Sequence, residues 1–157
     1  MLLHKHDNDR GAAIVEFALV IPLIALMALA LFDGGRAVIY YTELTNASRV
    51  GARVAMVNQS ASTACGGAVD TYKCAAAGIA TSTGIDATTI PNAVFTDRDG
   101  NAVDPTDTAC KVYGSCSATV SASYDFSSVT PIVSSIIGPI TLSASTTMAI
   151  ERTYANP

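Results

Sequence analysis

Four cysteines are the side chains with the clearest chemistry in this 157-residue chain. They are Cys65, Cys74, Cys110 and Cys116, and their spacings lack the short Cys-Cys knuckles of zinc sites. An even number of cysteines in a Ser/Thr-rich region indicates two disulfides formed in an oxidising compartment; the alternative is reduced, buried thiols in the cytosol. Of three possible connectivities we favour the local pairs, Cys65 with Cys74 and Cys110 with Cys116.

An acidic segment is the second candidate site. Asp97, Asp99 and Asn101 place oxygen atoms at alternate positions, as a calcium loop does. Against an EF-hand, its sixth position would be Ala102 rather than Gly, and its twelfth would be Thr108 rather than Glu. An Asp-Gly dipeptide in the same segment is typical of a hairpin turn. We therefore expect a solvated turn and no bound metal or other cofactor.

Catalytic side chains are scarce. Both histidines, His4 and His6, precede the first apolar segment, so with oxidised cysteines the remaining chain offers no Ser-His or Cys-His pair. Gly66-Gly67 lacks the lysine that follows in a phosphate-binding loop. A net charge of −4 provides no basic surface for nucleic acid. The sequence therefore predicts a protein that is not an enzyme and has no nucleic-acid partner.

The first element that must position these groups is an apolar segment from Ala12 to Phe32. Its only charged residue is Glu16, and its only proline is Pro22. At about 1.5 Å per residue, a helix of this length spans roughly 31 Å, the thickness of the hydrocarbon core of a bilayer. Because the cysteines favour an oxidising compartment, we expect a single-pass membrane protein with its C-terminal region outside and its polar leader inside.

Three interpretations of residues 1–32 remain open. A cleaved secretory signal would use Ala28-Leu29-Ala30, but its apolar region is longer than usual and contains a carboxylate. A plain signal anchor accounts for the length but leaves Glu16 in the apolar phase, at a cost on the order of a few kcal/mol. A chain that is cut within its leader and retains its apolar helix accounts for the leader, the charge and the apolar segment together.

The end of the leader carries a family resemblance. Arg10-Gly11 followed by AAIVEF resembles a type IV prepilin junction, in which Glu is the fifth residue of the mature chain. More narrowly, RGAAIVEFALVIPL and the later FDGGR resemble TadE-like minor pilins or pseudopilins of the Tad (Flp-type) pilus system, which serves adhesion or secretion. The resemblance implies cleavage between Gly11 and Ala12 by a prepilin peptidase in the inner membrane. It also implies other pilins, the pilus assembly machinery and membrane lipid as partners.

The short distance between Glu16 and the terminus that cleavage would create predicts a role for this residue. Cleavage would create an amine on Ala12, one helical turn before Glu16 and on the same helix face. The carboxylate can pair with the amine of its own chain or of a neighbouring subunit, and the family resemblance implies the second pairing, which sets axial register. The alternatives are a Glu16 that reaches the interface without a specific partner, and a tethered ligand-binding domain that does not polymerise.

The helical pattern continues beyond the apolar segment. Gly34 and Gly35 are the expected hinge, and Pro22 is an expected bend. Small residues at every fourth position permit close approach of another backbone, either from the chain's own domain or from other pilins; they are Ala47, Gly51 and Ala55. Apolar residues at helical spacing predict an amphipathic helix to about residue 58: Ala37, Tyr40, Tyr41, Leu44, Ala47, Gly51, Val54 and Ala55.

The predicted outer domain contains both strands and helices. The fold class is therefore α+β, a long N-terminal helix packed on a small antiparallel sheet domain, similar in outline to a pilin lollipop. The domain order is leader 1–11, membrane helix 12–32, amphipathic helix 33–58 and outer domain 59–157. Strict alternation and turn residues predict strands at Ile90–Thr96, Ser117–Phe126 and Ile140–Glu151 and helices at 68–80 and 130–138.

Overall fold

A computed structural model describes residues 6–57, 61–62, 69–80, 83–86, 89–104, 110, 114–130, 134–135 and 137–150. The predicted α+β class is confirmed, since one long helix packs on a small antiparallel sheet. The elements in chain order are α1 (His6–Ala55), β1 (Ala61–Ser62), β2 (Val69–Asp70), α2 (Thr71–Ile79), β3 (Val94–Asp97), β4 (Cys116–Phe126) and β5 (Ile140–Ala149).

Helix α1 is continuous from His6 to Ala55. At about 1.5 Å per residue it is roughly 75 Å long. It begins inside the predicted leader and ends at Ala55 rather than at residue 58. Pro22, Gly34 and Gly35 all lie within it, so none of them ends the helix. The bend and the hinge expected at these residues stay predictions.

The main sheet has three antiparallel strands in the order β3-β4-β5. Strands β4 and β5 pair along their whole length, from Ser117 opposite Ala149 to Phe126 opposite Ile140. The alternation predicted for both strands is confirmed. In β4, Ala118, Val120, Ala122 and Phe126 are buried; in β5, every second side chain is half-buried. This apolar face covers the second half of α1.

Besides α1, predicted boundaries differ from the structure at four elements, and the smallest difference is at β4, which begins at Cys116 rather than Ser117. Strand β3 begins at Val94 rather than Ile90, because the backbone amide of Ala93 donates to the Tyr72 hydroxyl (2.9 Å) instead of entering the sheet. Helix α2 covers Thr71–Ile79 rather than 68–80. Strand β5 ends at Ala149, and Glu151 lies outside the described residues. The two-residue strands β1 and β2, which form a second antiparallel pair, were not predicted.

The helix predicted at 130–138 is described only in part, because residues 131–133 and 136 lie outside the described residues. The amide of Ser134 donates to the carbonyl of Thr130 (2.9 Å), and the amide of Gly138 donates to that of Ser134 (3.0 Å). These are the bonds of helical turns. Gly138 has a φ of +72°, a conformation that glycine adopts without strain and that ends a helix.

The core lies between the second half of α1, helix α2 and the sheet. A Cβ atom at Gly51 would lie 3.0 Å from Val120 Cγ1 and 3.2 Å from Ala76 Cβ. Ala47 and Ala55 are also fully buried. The structure therefore places this small-residue stripe against the chain's own domain.

One member of the predicted apolar face of α1 is placed differently. Tyr41 is 52% exposed, whereas Ser48 and Ala52 are fully buried. The sheet therefore covers the face of α1 that carries Ser48, and Tyr41 lies outside this covered face. Burial of the Ser48 hydroxyl is possible because it hydrogen-bonds to Thr146 Oγ1 (2.8 Å) and donates to the carbonyl of Thr45 (3.0 Å).

Candidate functional site

The predicted cleavage junction lies on the exposed first part of α1. Gly11 and Ala12 are both exposed. A Cβ atom at Gly11 would meet nothing within 4 Å. Glycine weakens a helix interior by about 1 kcal/mol relative to alanine, so the packing of this fold gives no reason for a glycine here.

The apolar segment that follows has almost no contact with the rest of the chain. Ile14 is 70% exposed and Leu31 is 76% exposed. Helix α1 is the one described helix that is long and apolar enough to cross a membrane, judged by length and composition. The segment therefore fits a membrane anchor, as the sequence predicts.

Glu16 is exposed on this apolar segment. Among the side chains that the structure describes, none forms an ion pair with it. Ala12 lies one turn earlier on the same helix, about 6 Å along the axis. The structure thus brings the two predicted residues to the same face and leaves the carboxylate available.

Asp33, at the end of the apolar segment, has a structural role that the sequence alone does not predict. It is only 4% exposed. Its Oδ1 atom accepts a hydrogen bond from the amide of Val129 (3.1 Å), and its Oδ2 atom accepts one from the amide of Thr130 (3.1 Å). Arg36 Nη1 lies 3.5 Å from Oδ1. One carboxylate therefore fixes the β4–β5 connection to the helix.

Hydrogen bonding also changes the acidity of Asp33. The hydrogen bond with the Thr130 side chain is the largest cause that holds its pKa below the ordinary value. The two backbone amides and the Arg36 guanidinium act in the same direction, while burial opposes them. Asp33 is thus ionised at neutral pH, as its role as a double acceptor requires.

Arg36 and three aromatic rings form a second set of contacts between α1 and the sheet, next to Asp33. We call Asp33 and these residues the joint between helix and sheet. The guanidinium lies 5.5 Å from the centroid of the Tyr40 ring and 5.6 Å from that of Phe126. Tyr40 in turn meets Tyr124 and Phe126 edge to face, with centroids 5.3 Å and 5.8 Å away. Cation–π and aromatic contacts of this kind stabilise close packing beyond area burial alone.

An apolar groove of about 250 Å³ opens beside this joint. On the helix side it is lined by Ala30 and Gly34, and on the domain side by Phe126, Ile137 and Ile140. Asp33, whose oxygens are already hydrogen-bonded, also lines it. The groove therefore joins the end of the apolar segment to the base of the outer domain.

The cysteines are oxidised wherever the structure describes them. Cys110 and Cys116 form a disulfide with a Cα–Cα distance of 5.1 Å, which is the local pairing favoured above. Cys74 is also disulfide-bonded. Its predicted partner, Cys65, lies outside the described residues.

The acidic segment forms a tight turn after β3. Asp97 Oδ1 accepts hydrogen bonds from the amides of Asp99 (2.9 Å) and Asn101 (2.8 Å), and Oδ2 accepts one from Asn101 Nδ2 (3.1 Å). The Asn101 side chain is the largest cause that lowers the pKa of Asp97. Within the described ranges, no three His, Cys, Asp or Glu side chains are grouped so that they could hold a metal ion. The Asp97 carboxylate therefore stabilises the turn by accepting hydrogen bonds within it.

Comparison with known protein families identifies the helical part of the chain. Residues 11–53 match the model of the TadE-like protein family. The match confirms the resemblance drawn from the junction residues over this part of the chain, and it shows similarity to a Tad pilus-associated family that is structural rather than catalytic. No curated protein and no solved structure matches the chain.

Proposed function

We propose that this protein is a minor pilin or pseudopilin that takes part in assembling a Tad-type pilus for adhesion or secretion. One observation carries the proposal. The family match begins at Gly11, the predicted cleavage junction, and ends at residue 53, just before α1 ends. The matched part is therefore the helix that would be processed, anchored and packed into a filament, and the outer domain lies outside the matched residues.

Processing after Gly11 is supported by the junction itself. The fold makes no steric demand for glycine at this position, whereas the resemblance implies that a prepilin peptidase needs a small residue there. The peptide bond to Ala12 lies on an exposed part of α1. Cleavage removes the polar leader and leaves the apolar helix attached to the outer domain.

Assembly through Glu16 is supported by its isolation on an apolar face. An unpaired carboxylate in the hydrocarbon region is unfavourable, so a cationic partner stabilises it there. The amine created on Ala12 of a neighbouring subunit supplies that charge when the two helices are offset by about one turn, roughly 6 Å. Pairing between subunits thus sets their axial register.

The proposed location is the inner membrane, with the disulfide-bonded domain outside the cytoplasm. The oxidised cysteines support this orientation because disulfides persist in oxidising compartments. In this location prepilin peptidase, other pilins, the assembly machinery and lipid are the partners of α1.

The mature N-terminus tests the proposal. N-terminal sequencing of the protein purified from its own host is expected to begin at Ala12, and the protein is expected in the sheared pilus fraction or in complex with pilus components. A terminus at Met1 indicates a plain anchor, and one at Leu31 indicates a secreted protein; either result refutes processing as a prepilin. Correct processing without any association with pilus components favours the tethered ligand-binding domain.

A further inference from the structure

We propose that the base of the outer domain rests in the lipid interface of the membrane. We call this base the foot and define it by three exposed apolar side chains, Val129, Ile137 and Ile140. The inference rests on the proposed function, in which residues 12–32 of α1 span the bilayer. It adds a second lipid contact, made by the domain rather than by the anchor.

The position of the foot follows from the hydrogen bonds of Asp33. This carboxylate binds the amides of Val129 and Thr130, so the β4–β5 connection is held at helix residue 33. The apolar segment ends at Phe32, the residue before. Ile137 and Ile140 line the same groove as Ala30, which belongs to the apolar segment. The foot therefore lies level with the end of the membrane span.

The side chains of the foot are apolar and unprotected. Val129 is 66% exposed, Ile137 is 59% exposed and Ile140 is 45% exposed. Next to them on the helix, Phe32 is 62% exposed. Ile137 and Ile140 line one groove, and contiguous exposed apolar surface marks a site of contact with a protein or a membrane.

Charge distribution favours lipid as the occupant. From Phe126 to Ile150 the sequence contains no charged residue. The one carboxylate in the groove, Asp33, already accepts two backbone hydrogen bonds and contacts Arg36. The described residues that form the foot carry no charge. The foot can therefore enter the lipid interface without burying an unpaired charged group of its own. Because the groove is continuous with the anchor, lipid that surrounds Ala30 also reaches Ile137.

Contact with lipid would fix the height of the outer domain. Helix α1 is joined to the foot by Asp33, so the domain cannot rise from the bilayer without either moving the whole helix or breaking those hydrogen bonds. The foot therefore holds the subunit at a defined depth until the assembly machinery extracts it.

The absence of tryptophan from the chain allows a direct test. Single tryptophans are introduced at three exposed apolar positions of the full-length, oxidised protein: Ile137→Trp in the foot, Phe17→Trp in the anchor, and Val94→Trp in β3. Val94 is 53% exposed and pairs with Thr119, next to the Val120 that contacts Gly51. Gly51 lies about 27 Å beyond Asp33 along α1, so Val94 is a control of matched exposure far from the foot.

Each variant is reconstituted in phosphatidylcholine vesicles with ordinary or brominated acyl chains, since bromine quenches nearby tryptophan. In brominated vesicles, Phe17→Trp and Ile137→Trp are expected to lose most of the tryptophan emission seen in ordinary vesicles, whereas Val94→Trp is expected to lose none. The result should be the same at every protein-to-lipid ratio. If Phe17→Trp is quenched while Ile137→Trp behaves like Val94→Trp, the foot is refuted and the anchor stands; coverage by a second copy gives this result. If Phe17→Trp is not quenched, the anchor fails and the foot fails with it.

Discussion

The side chain of Asp33 attaches the outer domain to α1 at the boundary with the apolar segment. It is ionised and buried on the helix, and its partners are backbone amides that lie almost a hundred residues later in the chain. Hydrogen bonds to an ionised group are roughly twice as strong as neutral ones. The carboxylate therefore determines where the β4–β5 connection meets α1.

Replacing Asp33 by asparagine is expected to lower the thermal midpoint of the outer domain. The amide offers one acceptor oxygen where the carboxylate offers two, and its NH₂ group would face an N–H donor. Thermal unfolding in detergent micelles, followed by near-UV circular dichroism, measures the effect. Asp99→Asn is the matched control, because Asp99 is exposed and its side chain has no described partner. Equal midpoints for the two variants would contradict the role of Asp33.

The stabilisation by Asp33 is also expected to depend on pH. A carboxyl group whose pKa is lower in the folded protein stabilises the fold above its unfolded pKa, about 3.9, and loses that effect as pH falls through the folded value. The difference in thermal midpoint between wild type and Asp33→Asn should thus be constant near neutrality and shrink below about pH 4. Midpoints measured from pH 7 to pH 3 test this, and a gap that widens in acid would contradict the assigned hydrogen bonds.

Glu16 is expected to act in assembly and not in folding or cleavage. Glu16→Ala should retain a mature terminus at Ala12 and the wild-type thermal midpoint of the outer domain, but should be depleted from the pilus fraction, because the register-setting carboxylate is lost. Glu16→Asp keeps the charge and is expected to restore part of the incorporation. Immunoblots of sheared and membrane fractions give both readings. Normal incorporation of Glu16→Ala would eliminate the proposed pairing.

At the scale of the elements, the second half of α1 is the surface on which the domain is built. Gly51 meets both the sheet and α2, since the space for a Cβ is limited by Val120 and by Ala76. Glycines 34 and 35 of the same helix have no neighbour within 4 Å of such an atom. Of the four glycines of α1, Gly51 is therefore the one whose space is limited by packing, since Gly11 also has no neighbour within 4 Å.

Gly51→Val is accordingly expected to destabilise the outer domain by about 1–3 kcal/mol, the usual cost of inserting atoms into a packed core. The same substitution at Gly35 serves as the control and should change the free energy of unfolding by less than about 0.5 kcal/mol, as exposed sites do. Urea unfolding in micelles, monitored by tyrosine fluorescence, compares the two variants. Equal destabilisation would indicate that helix propensity, and not the contact with Val120, determines the effect.

The elements with strong local patterns were predictable from the sequence, and those that depend on distant contacts were not. The alternation in β4 and β5 and the apolar run of α1 follow from local hydrophobic periodicity. Strand β3 begins late because Ala93 donates to the Tyr72 hydroxyl, a contact that no local pattern contains. The burial of Ser48 depends on Thr146 in the same way.

The candidate site shows the same division. Ala12 and Glu16 are four residues apart, so their spacing alone put them on one face of a helix, with Gly11 directly before Ala12. Asp33 was visible in the sequence only as the acid of the FDGGR segment that ends an apolar run, and its partners on the β4–β5 connection could be found only in the folded chain. A buried carboxylate beside a membrane span needs donors, and that need was the available signal.

At the scale of the whole molecule, α1 divides into a half without partners and a half inside a domain. Residues 11–32 are exposed almost throughout, and the core begins where the β4–β5 connection, and then the sheet, cover the helix. Under the proposed function the first half packs against lipid or other subunits, while the second half packs on its own chain. Under the proposed function, transfer from membrane to filament would exchange the partners of the first half only.

If the outer domain is exported, its cysteines are expected to be oxidised. In the native host, acid-trapped protein treated with N-ethylmaleimide should take up no label before reduction, because the disulfides form only in an oxidising compartment. Intact mass measures the label. The control is the same chain with three arginines inserted after Leu23, which should remain in the cytosol and be labelled. Full labelling of the wild-type protein would place the domain in the cytoplasm, since Cys110 and Cys116 could not then have formed their bond.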